Sequence, residues 1–399
     1  MILQDLEFGN GVGVLAPELE LLTEEILPYI PEDRIDDVVF VNPVDTDCPI
    51  PFNPLHVDAD EDIDLKVDDA VTIFKRLMGE TGARMDEILR QSFYALMERP
   101  GSTLIDIEPL LSRQDATLRN EIIQRSRDEQ TVRFFRDSYP SFPKDAHLPI
   151  TTRISRLVRP KAVRSLLCQP GRSFNFREAM DEGKILLFNL SDGLLGEQTS
   201  QLLGQLVVSK MQMAVMSRMD TPAALRRPFY LYLDEFQTFT GVAETSYANM
   251  LSRARKYKLG LILAHQQTGQ LSQGLLRDIL GNVSTLLTFN VSHEDAVKLS
   301  KEYVQGNGQA MEYMPPGELL SLKTGEAWGK IGKSCFFLST VLAPQQPDLA
   351  RARQVIQRSR KNYGVGGSWE AEVKRPPQNS PKMIPRHATE EPLDPSKVF

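Results

Sequence analysis

The chain has 399 residues, 41% apolar and 25% charged, with a formal net charge of −7. That is enough for two or three domains around sizeable cores. An acidic balance excludes a chain that binds polyanions over its whole surface, so any nucleic-acid contact must come from a local basic patch. Cys48, Cys168 and Cys335 are odd in number and far apart, which argues against a disulfide framework and fits a reducing cytosol. The five histidines make no HExxH and there is no CxxC, so a zinc site is not expected. No apolar run approaches the roughly 18 residues of a membrane span, and the first residues show no charged n-region followed by an apolar h-region, so nothing suggests secretion. A cytoplasmic protein is expected.

Gly11–Ala16 (GVGVLA) reads as a short buried strand, Glu18–Tyr29 as a helix stopped by Pro31, and Val38–Asn42 (VVFVN) as a second strand. Continuous apolar strands alternating with helices imply a parallel sheet covered on both faces. A proline-rich extended stretch, CPIPFNPL, and an acidic run from Asp58 to Asp69 follow. From about Lys66 to Arg164 the pattern is helical. Ile88, Leu89, Phe93, Leu96 and Met97 repeat at helical spacing, and further helical signals run through Leu104–Leu111, Ala116–Gln124 and Thr131–Asp137. So much helix between strands of one sheet is most simply an inserted all-α subdomain.

Alternation resumes near Phe174. Strands are expected at Lys184–Asn189, Pro228–Leu233, Leu259–His265, Val283–Phe289 and Ser334–Val341, with helices at Thr199–Arg218 and Ser246–Lys256. After Pro344 come one helix, Asp348–Tyr363, and a Pro-, Gly- and charge-rich tail with little to bury, expected to be disordered.

The run FYLYLDEFQTF, Phe229 to Phe239, carries the clearest chemistry. An apolar strand delivers two adjacent carboxylates, Asp234 and Glu235, at its C-terminal end, where open α/β sheets place ligands. One acid can hold a magnesium shell while its neighbour orients or deprotonates water. Two solvated acids at an ordinary strand end are the alternative. Leu259–Gln267 is expected to be a buried strand ending in His265-Gln266-Gln267. That puts an amide, able to donate to a phosphate and accept from water, at the same edge. Arg253, Arg255 and Lys256 close the preceding helix. They suit a transition-state contact, or equally a solvated helix end favoured by the dipole.

The order of these features, with LSRARKYKLGLILAHQQ and GNVSTLLTFNVSHEDA, resembles the HerA/FtsK superfamily of P-loop ATPases. Within it the match is best to TraG/TraD-type conjugative coupling ATPases of type IV secretion. GKILLFNLSDGLLGEQTSQLLGQLVVSKM and IPEDRIDDVVFVNP…PFNPL also resemble that group, over roughly residues 10 to 364. The resemblance implies a RecA-like α/β core with an inserted all-α subdomain, ATP and Mg2+ as cofactors, a homo-oligomeric ring of hexamer type, and DNA as partner, with membrane-anchored secretion components possible. Asp234 and Glu235 correspond to the Walker B pair, Asp234 contacting Mg2+ through water, and Gln266 to the sensor. Arg255 corresponds to an arginine finger that reaches a neighbouring subunit's nucleotide.

One departure stands against this. No GxxxxGK[ST] occurs in the 399 residues. Gly9-Asn10-Gly11-Val12-Gly13 has no lysine, and Gly332-Lys333-Ser334 has Ala327 where the first glycine belongs and reads as a hairpin. The family's acidic stretch after the next strand is replaced by Ala16-Pro17-Glu18-Leu19-Glu20. Without a lysine and a nest of backbone donors, the β- and γ-phosphates have no cradle. Asp58, Asp60, Asp62 and Asp69 match positions of a calcium loop, but Ile63 replaces its glycine. A solvated linker is expected instead. Arg153, Arg156, Arg159, Lys161 and Arg164, within the wider basic stretch that includes Arg172 and Arg177, could track a DNA backbone or pair with the Asp58–Asp69 acids.

Two functions remain open. One is a DNA-translocating ATPase whose N-terminal part is truncated here, so that an upstream segment or a separate chain supplies Walker A. The other is a non-hydrolysing adaptor paralogue. A DExx helicase is a third, lacking its other motifs. The expected division is 1–66 and 168–345 for the core, 67–167 for the insert, 346–364 for a C-terminal helix and 365–399 for the tail. In the RecA-like order that the resemblance implies, the P-loop strand lies between Leu259–His265 and Val283–Phe289. Without it those strands either pair directly, receive a strand from another chain, or leave the protein aggregation-prone.

Overall fold

GVGVLA forms β1 (Gly11–Ala16), buried along its whole length. It lies mid-sheet because glycine at two alternate positions lets another strand's aromatic side chain lie against its backbone. A Cβ at Gly11 would sit 2.6 Å from the Phe229 ring, and one at Gly13 3.0 Å from Leu231. The computed structural model describes residues 1–58, 61–79, 82–171, 174–241, 244–305, 312–341 and 346–366.

With β2 (Val38–Val41), β3 (Ile185–Asn189), β4 (Phe229–Leu233) and β5 (Leu259–Leu263), β1 makes a parallel sheet in the order β2-β3-β1-β4-β5. The first four strands are almost wholly buried, as continuous apolar runs require. One face carries a core of Val12, Val14, Leu27, Val38 and Leu187; the other carries Leu15, Val39, Leu186, Phe188 and Leu231.

Between β2 and β3 the chain is helical, including Ile63–Met78, Ala83–Met97, Thr117–Arg125, Leu148–Val158 and Lys161–Leu167. Asp62 starts the first of these helices by accepting hydrogen bonds from the Asp64 and Leu65 amides. Phe74 and Phe93 meet edge to face at 5.2 Å in a core continuous with Leu15 and Val39 of the sheet. Each fully buried aromatic side chain there contributes about 2–3 kcal/mol. An α/β core with an all-α insert is therefore the architecture, as expected from the sequence.

Several local expectations need correction. The residues before β1, for which no element was expected, hold a helix, Ile2–Glu7. The Glu18–Tyr29 helix is two short pieces, Leu19–Thr23 and a 3-10 turn at Leu27–Tyr29, because Pro28 interrupts the ladder. Leu259–His265 is shorter, and β5 is an edge strand with Gly260 to Leu263 half-exposed, so it is not the buried strand expected. Val283–Phe289 contributes β6 (Thr285–Thr288), which does not join the parallel sheet. After the two-residue pair β7 (Val304–Gln305) and β8 (Glu312–Tyr313), β6 pairs antiparallel with β9 (Glu326–Ile331), itself a hairpin with β10 (Ser334–Ser339). Gly332 at φ 58 turns that hairpin, as the Gly332-Lys333-Ser334 reading required. Among the described residues β5 and β6 have not paired.

The C-terminal helix, Leu349–Tyr363, is capped by Asp348 and buries Ala352 and Val355 against the first face. Its Ser359 Oγ accepts the Phe40 amide at 2.8 Å, so the β2 edge of the sheet is covered. The expected disordered tail falls almost wholly on residues 367–399, outside the described residues.

Candidate functional site

Strand β4 ends by bonding on both sides: the Asp234 amide donates to Leu15 O at 3.1 Å and the Ala264 amide to Leu233 O at 3.0 Å. The chain then turns abruptly. Glu235 adopts φ 45, ψ 46, left-handed geometry that is rare for a residue with a side chain. Such a conformation costs about 1 kcal/mol or more. Here Phe236 fixes it, its amide donating to Ala264 O at 3.0 Å and its side chain fully buried. The effect is to aim the Glu235 carboxylate along the C-terminal edge of the sheet. There Gln266 Nε2 donates to Oε1 at 2.8 Å, and Gln237 Nε2 donates to Oε2.

Asp234, Glu235 and Gln266 thus lie together at one edge. Burial raises the Asp234 pKa above the usual carboxylate value, with the neighbouring Glu235, Glu18 and Glu25 charges adding to it. This concentration of negative charge is what a divalent cation relieves. Among the described residues no group of three His, Cys, Asp or Glu side chains is preformed as a metal cage. A cation here must therefore take most ligands from water or phosphate, as magnesium commonly does. Glu18 comes from the segment after β1, where the sequence offered only a departure from the family pattern. Gln237 was also missed, although it stands two places beyond Glu235 in the same run.

Around Phe236 the wall of the site is aromatic, with Tyr247 at 5.7 Å and His265 at 5.3 Å between ring centroids. Burial lowers the His265 pKa, favouring a neutral ring. Gln237 Oε1, Tyr247 Oη and His265 Nδ1 are buried without a protein partner.

Arg255 lies elsewhere. It is exposed in the 3-10 turn Ala254–Tyr257, before β5 begins, whereas Gln266 follows that strand's end. The five-residue strand separates them by about 17 Å, so Arg255 does not join the carboxylates within one protomer.

The basic run occupies two helices of the insert. Leu148–Val158 buries Ile150, Ile154 and Leu157 and leaves Arg156 exposed; Arg159 and Lys161 are exposed at the junction with Lys161–Leu167, while Arg153 and Arg164 are half-buried. The acids of the Asp58–Asp69 run have other partners. Asp58 meets His56 at 3.0 Å, Glu61 meets Lys66 at 2.5 Å, Asp64 accepts from Tyr94 at 2.9 Å, and Asp68 pairs with Arg90.

A crevice of about 930 Å3 lies at the opposite end of the sheet from Asp234, where Arg177, Asp181 and Ser217 precede β3 and β4. Lys210 and Asp69 also line it.

A family model described as the type IV secretion-system coupling protein DNA-binding domain matches residues 32–314. No curated protein matches the chain. Among solved structures, the bacterial conjugative coupling protein TrwBdeltaN70 in its unbound monoclinic form is similar with a TM-score of 0.54 at 15% identity, over 86% of this chain and 82% of that one. The plasmid coupling protein TrwB in complex with ADP and Mg2+ gives the same TM-score, identity and coverage. VirB4 of Thermoanaerobacter pseudethanolicus gives 0.56 at 15% identity, over 86% of this chain and 85% of that one. At such identities the likeness is one of fold.

Proposed function

This chain belongs to the type IV secretion-system coupling protein DNA-binding domain family, and from that membership we propose an ATP-driven motor that translocates DNA or nucleoprotein. The observation that carries the reading is the grip of Gln266 on Glu235 beside Asp234, at the sheet edge where α/β proteins bind ligands. In this reading Asp234 would hold magnesium through water, and Glu235 would orient the attacking water and take its proton. Gln266 would sense a bound phosphate by exchanging its carboxylate partner for a phosphate oxygen. Arg255, exposed and remote from its own site, serves a neighbouring protomer in a homo-oligomeric ring. The exposed face bearing Arg156, Arg159 and Lys161, flanked by Arg153 and Arg164, follows the DNA backbone. The division into a core of 1–66 and 168–345, an insert of 67–167 and a helix of 346–364 belongs to the same reading.

TrwB was solved with ADP and Mg2+. Here the acidic edge fits the cation, while the phosphates need a cradle that the 399 residues do not contain. ATP would supply the driving free energy once that cradle is provided by an upstream segment or another chain. Among the described residues no helix is long and apolar enough to cross a membrane. A cytoplasmic station beside membrane-anchored secretion components completes the proposal.

The missing cradle also favours a second reading, an adaptor that keeps the fold without hydrolysing ATP. Supplying a GxxxxGK[ST] segment to the purified chain tests the two. Magnesium-dependent turnover that Glu235→Gln abolishes supports the motor; none, with Mg-ATP bound or unbound, supports the adaptor.

A further inference from the structure

Four residues, Ala264 to Gln267, join β5 to the 3-10 turn Thr268–Gln270. Gln266 and Gln267 are exposed, so packing does not hold the Gln266 side chain against Glu235. Its place is set by its hydrogen bond and by where the backbone on either side is tied. On the strand side the tie is the sheet. The Ala264 amide donates to Leu233 O and Ala264 O accepts the Phe236 amide, both at 3.0 Å. The His265 ring then packs edge-on against Phe236.

On the far side the tie is a carboxylate from another part of the fold. Asp295 Oδ2 accepts the Thr268 amide at 3.3 Å, and Asp295 Oδ1 accepts the Thr268 hydroxyl. Asp295 is 3% and Thr268 4% exposed. Both bonds are thus shielded from water, and losing them leaves buried polar groups short of partners. Asp295 stands in the first turn of the helix His293–Leu299, where Ser292 Oγ accepts its amide at 3.3 Å. The neighbouring Glu294 takes the solvent side and pairs with Lys298 at 2.6 Å, which leaves Asp295 to the inward side. That helix belongs to the cluster of the second sheet: Ala296 and Leu299 are buried with Tyr303, Met314, Leu319 and Leu322.

The His265 ring feels both ends of this arrangement. Burial lowers its pKa, while the Gln267 backbone and the Asp295 and Glu235 charges oppose the shift. Beyond Thr268 the chain has a further anchor. Leu271 is buried in the main core and its amide donates to Thr268 O at 3.2 Å. The fold downstream is therefore held without Asp295, and what Asp295 adds is the placing of the segment before it.

We propose that Asp295 is a positioning residue for Gln266: by holding Thr268 it fixes the segment whose amide grips Glu235, so the unit built on the second sheet governs that grip. A shift of the helix His293–Leu299 draws Thr268 with it, and Gln266 loses or regains Glu235 accordingly. Asp295 acts through Thr268 and not on the reacting groups. That the grip is the resting contact of a phosphate sensor rests on the motor reading; the coupling of Asp295 to the grip does not.

The test uses the full chain, isotope-labelled at its glutamine side-chain nitrogens and followed by NMR, with the Gln266 amide assigned by its loss in Gln266→Ala. Glu235→Gly removes the carboxylate at a left-handed position that suits glycine, and marks where the signal lies once the grip is released. Thr268→Val removes the hydroxyl donor at nearly constant shape, and Asp295→Ala removes the acceptor. Both are expected to move the Gln266 signal to the released position, and Thr268→Ser to keep it at the parent position. Ser292→Ala weakens the same helix and leaves both Thr268 bonds in place, so its signal is expected to stay with the parent. A parent-like Gln266 signal in Thr268→Val, whether or not Asp295→Ala folds, overturns the proposal. So does a shift in Ser292→Ala as large as that in Thr268→Val, because the effect is then a general loosening. Turnover is measured separately in an assembly given a phosphate loop. There Thr268→Val should lower kcat about 10- to 100-fold with KM for Mg-ATP nearly unchanged, and Thr268→Ser should recover it. An unchanged kcat in an active assembly overturns the proposal. A released Gln266 signal where the parent assembly turns over no ATP keeps the positioning role and removes the motor reading.

Discussion

Gln266 Nε2 donates to Glu235 Oε1 at 2.8 Å, joining residues 31 positions apart in sequence at the ends of adjacent strands. Under the motor reading this contact holds the base in place until a phosphate competes for the amide. Residues 1–399 alone are expected to hydrolyse little ATP. In an assembly given its phosphate loop, Glu235→Gln should lower kcat by about 100-fold or more, with Mg-ATP affinity nearly unchanged. Gln266→Ala should lower kcat by about 10- to 100-fold, the range for removing one donor to a developing charge. Single-turnover kinetics alongside nucleotide titration separate the two effects.

Asp234 is held with a raised pKa by burial and by Glu235, so the folded chain binds a proton more readily there than the unfolded chain. Its ionisation opposes folding. The penalty is absent below the unfolded carboxylate pKa of about 3.9, develops as pH rises through the raised value, and is fully present at neutral pH. Asp234→Asn should therefore stabilise the chain at pH 7, and the gain should vanish in acid. Urea melts of both proteins at pH 4 and pH 7 check the sign. Mg2+ should reduce the difference in the parent chain.

Lys210 shows the opposite protonation logic. Burial in the crevice pushes its amine down to about 8, with Lys66 adding to the effect and Asp69 and Glu61 opposing it. The folded chain binds fewer protons there than the unfolded one between about pH 8 and the ordinary lysine value, so stability attributable to this group rises across that window. Lys210→Met should stabilise by about 1–3 kcal/mol at pH 7, and its advantage should shrink as pH rises past 8. Denaturant midpoints measured from pH 7 to 10 decide it.

Ser359 reaches across from the C-terminal helix to the Phe40 amide on β2. Ser359→Ala leaves that buried donor without its partner, at about 1–3 kcal/mol, and should loosen the helix from the sheet. The expected readout is faster amide exchange at Phe40 together with a lower melting temperature. Ser359→Thr should recover most of the loss.

On the insert, replacing Arg156, Arg159 and Lys161 with glutamine should weaken DNA binding similarly for all sequences. The slope of log affinity against log salt should fall by about one for each phosphate no longer neutralised. An unchanged slope places the DNA elsewhere on the protein.

Much of this was written locally. The runs GVGVLA, VVFVN, KILLFN and FYLYL had to be buried parallel strands, because continuous apolar runs fit only a sheet covered on both faces. The helical spacing from Ile88 to Met97 fixed the helix that carries the insert's core. Asp234, Glu235 and Gln266 were legible as a constellation because strand ends place side chains at one sheet edge whatever the loops do. Gln237 and Glu18 were not, since their roles arise from where the chain returns after Glu235's left-handed turn and after β1. Three outcomes were decided by pairing, which sequence period does not encode. LGLIL became a half-exposed edge, GNVSTLLTF supplied a strand to a second sheet, and the acidic run found Lys66, Arg90 and Tyr94 instead of the basic helices. A strand's residue pattern records which faces are apolar, but its partner is chosen by backbone groups common to every sequence. Only the assembled tertiary structure settles which of those groups are met and which are left facing an open edge.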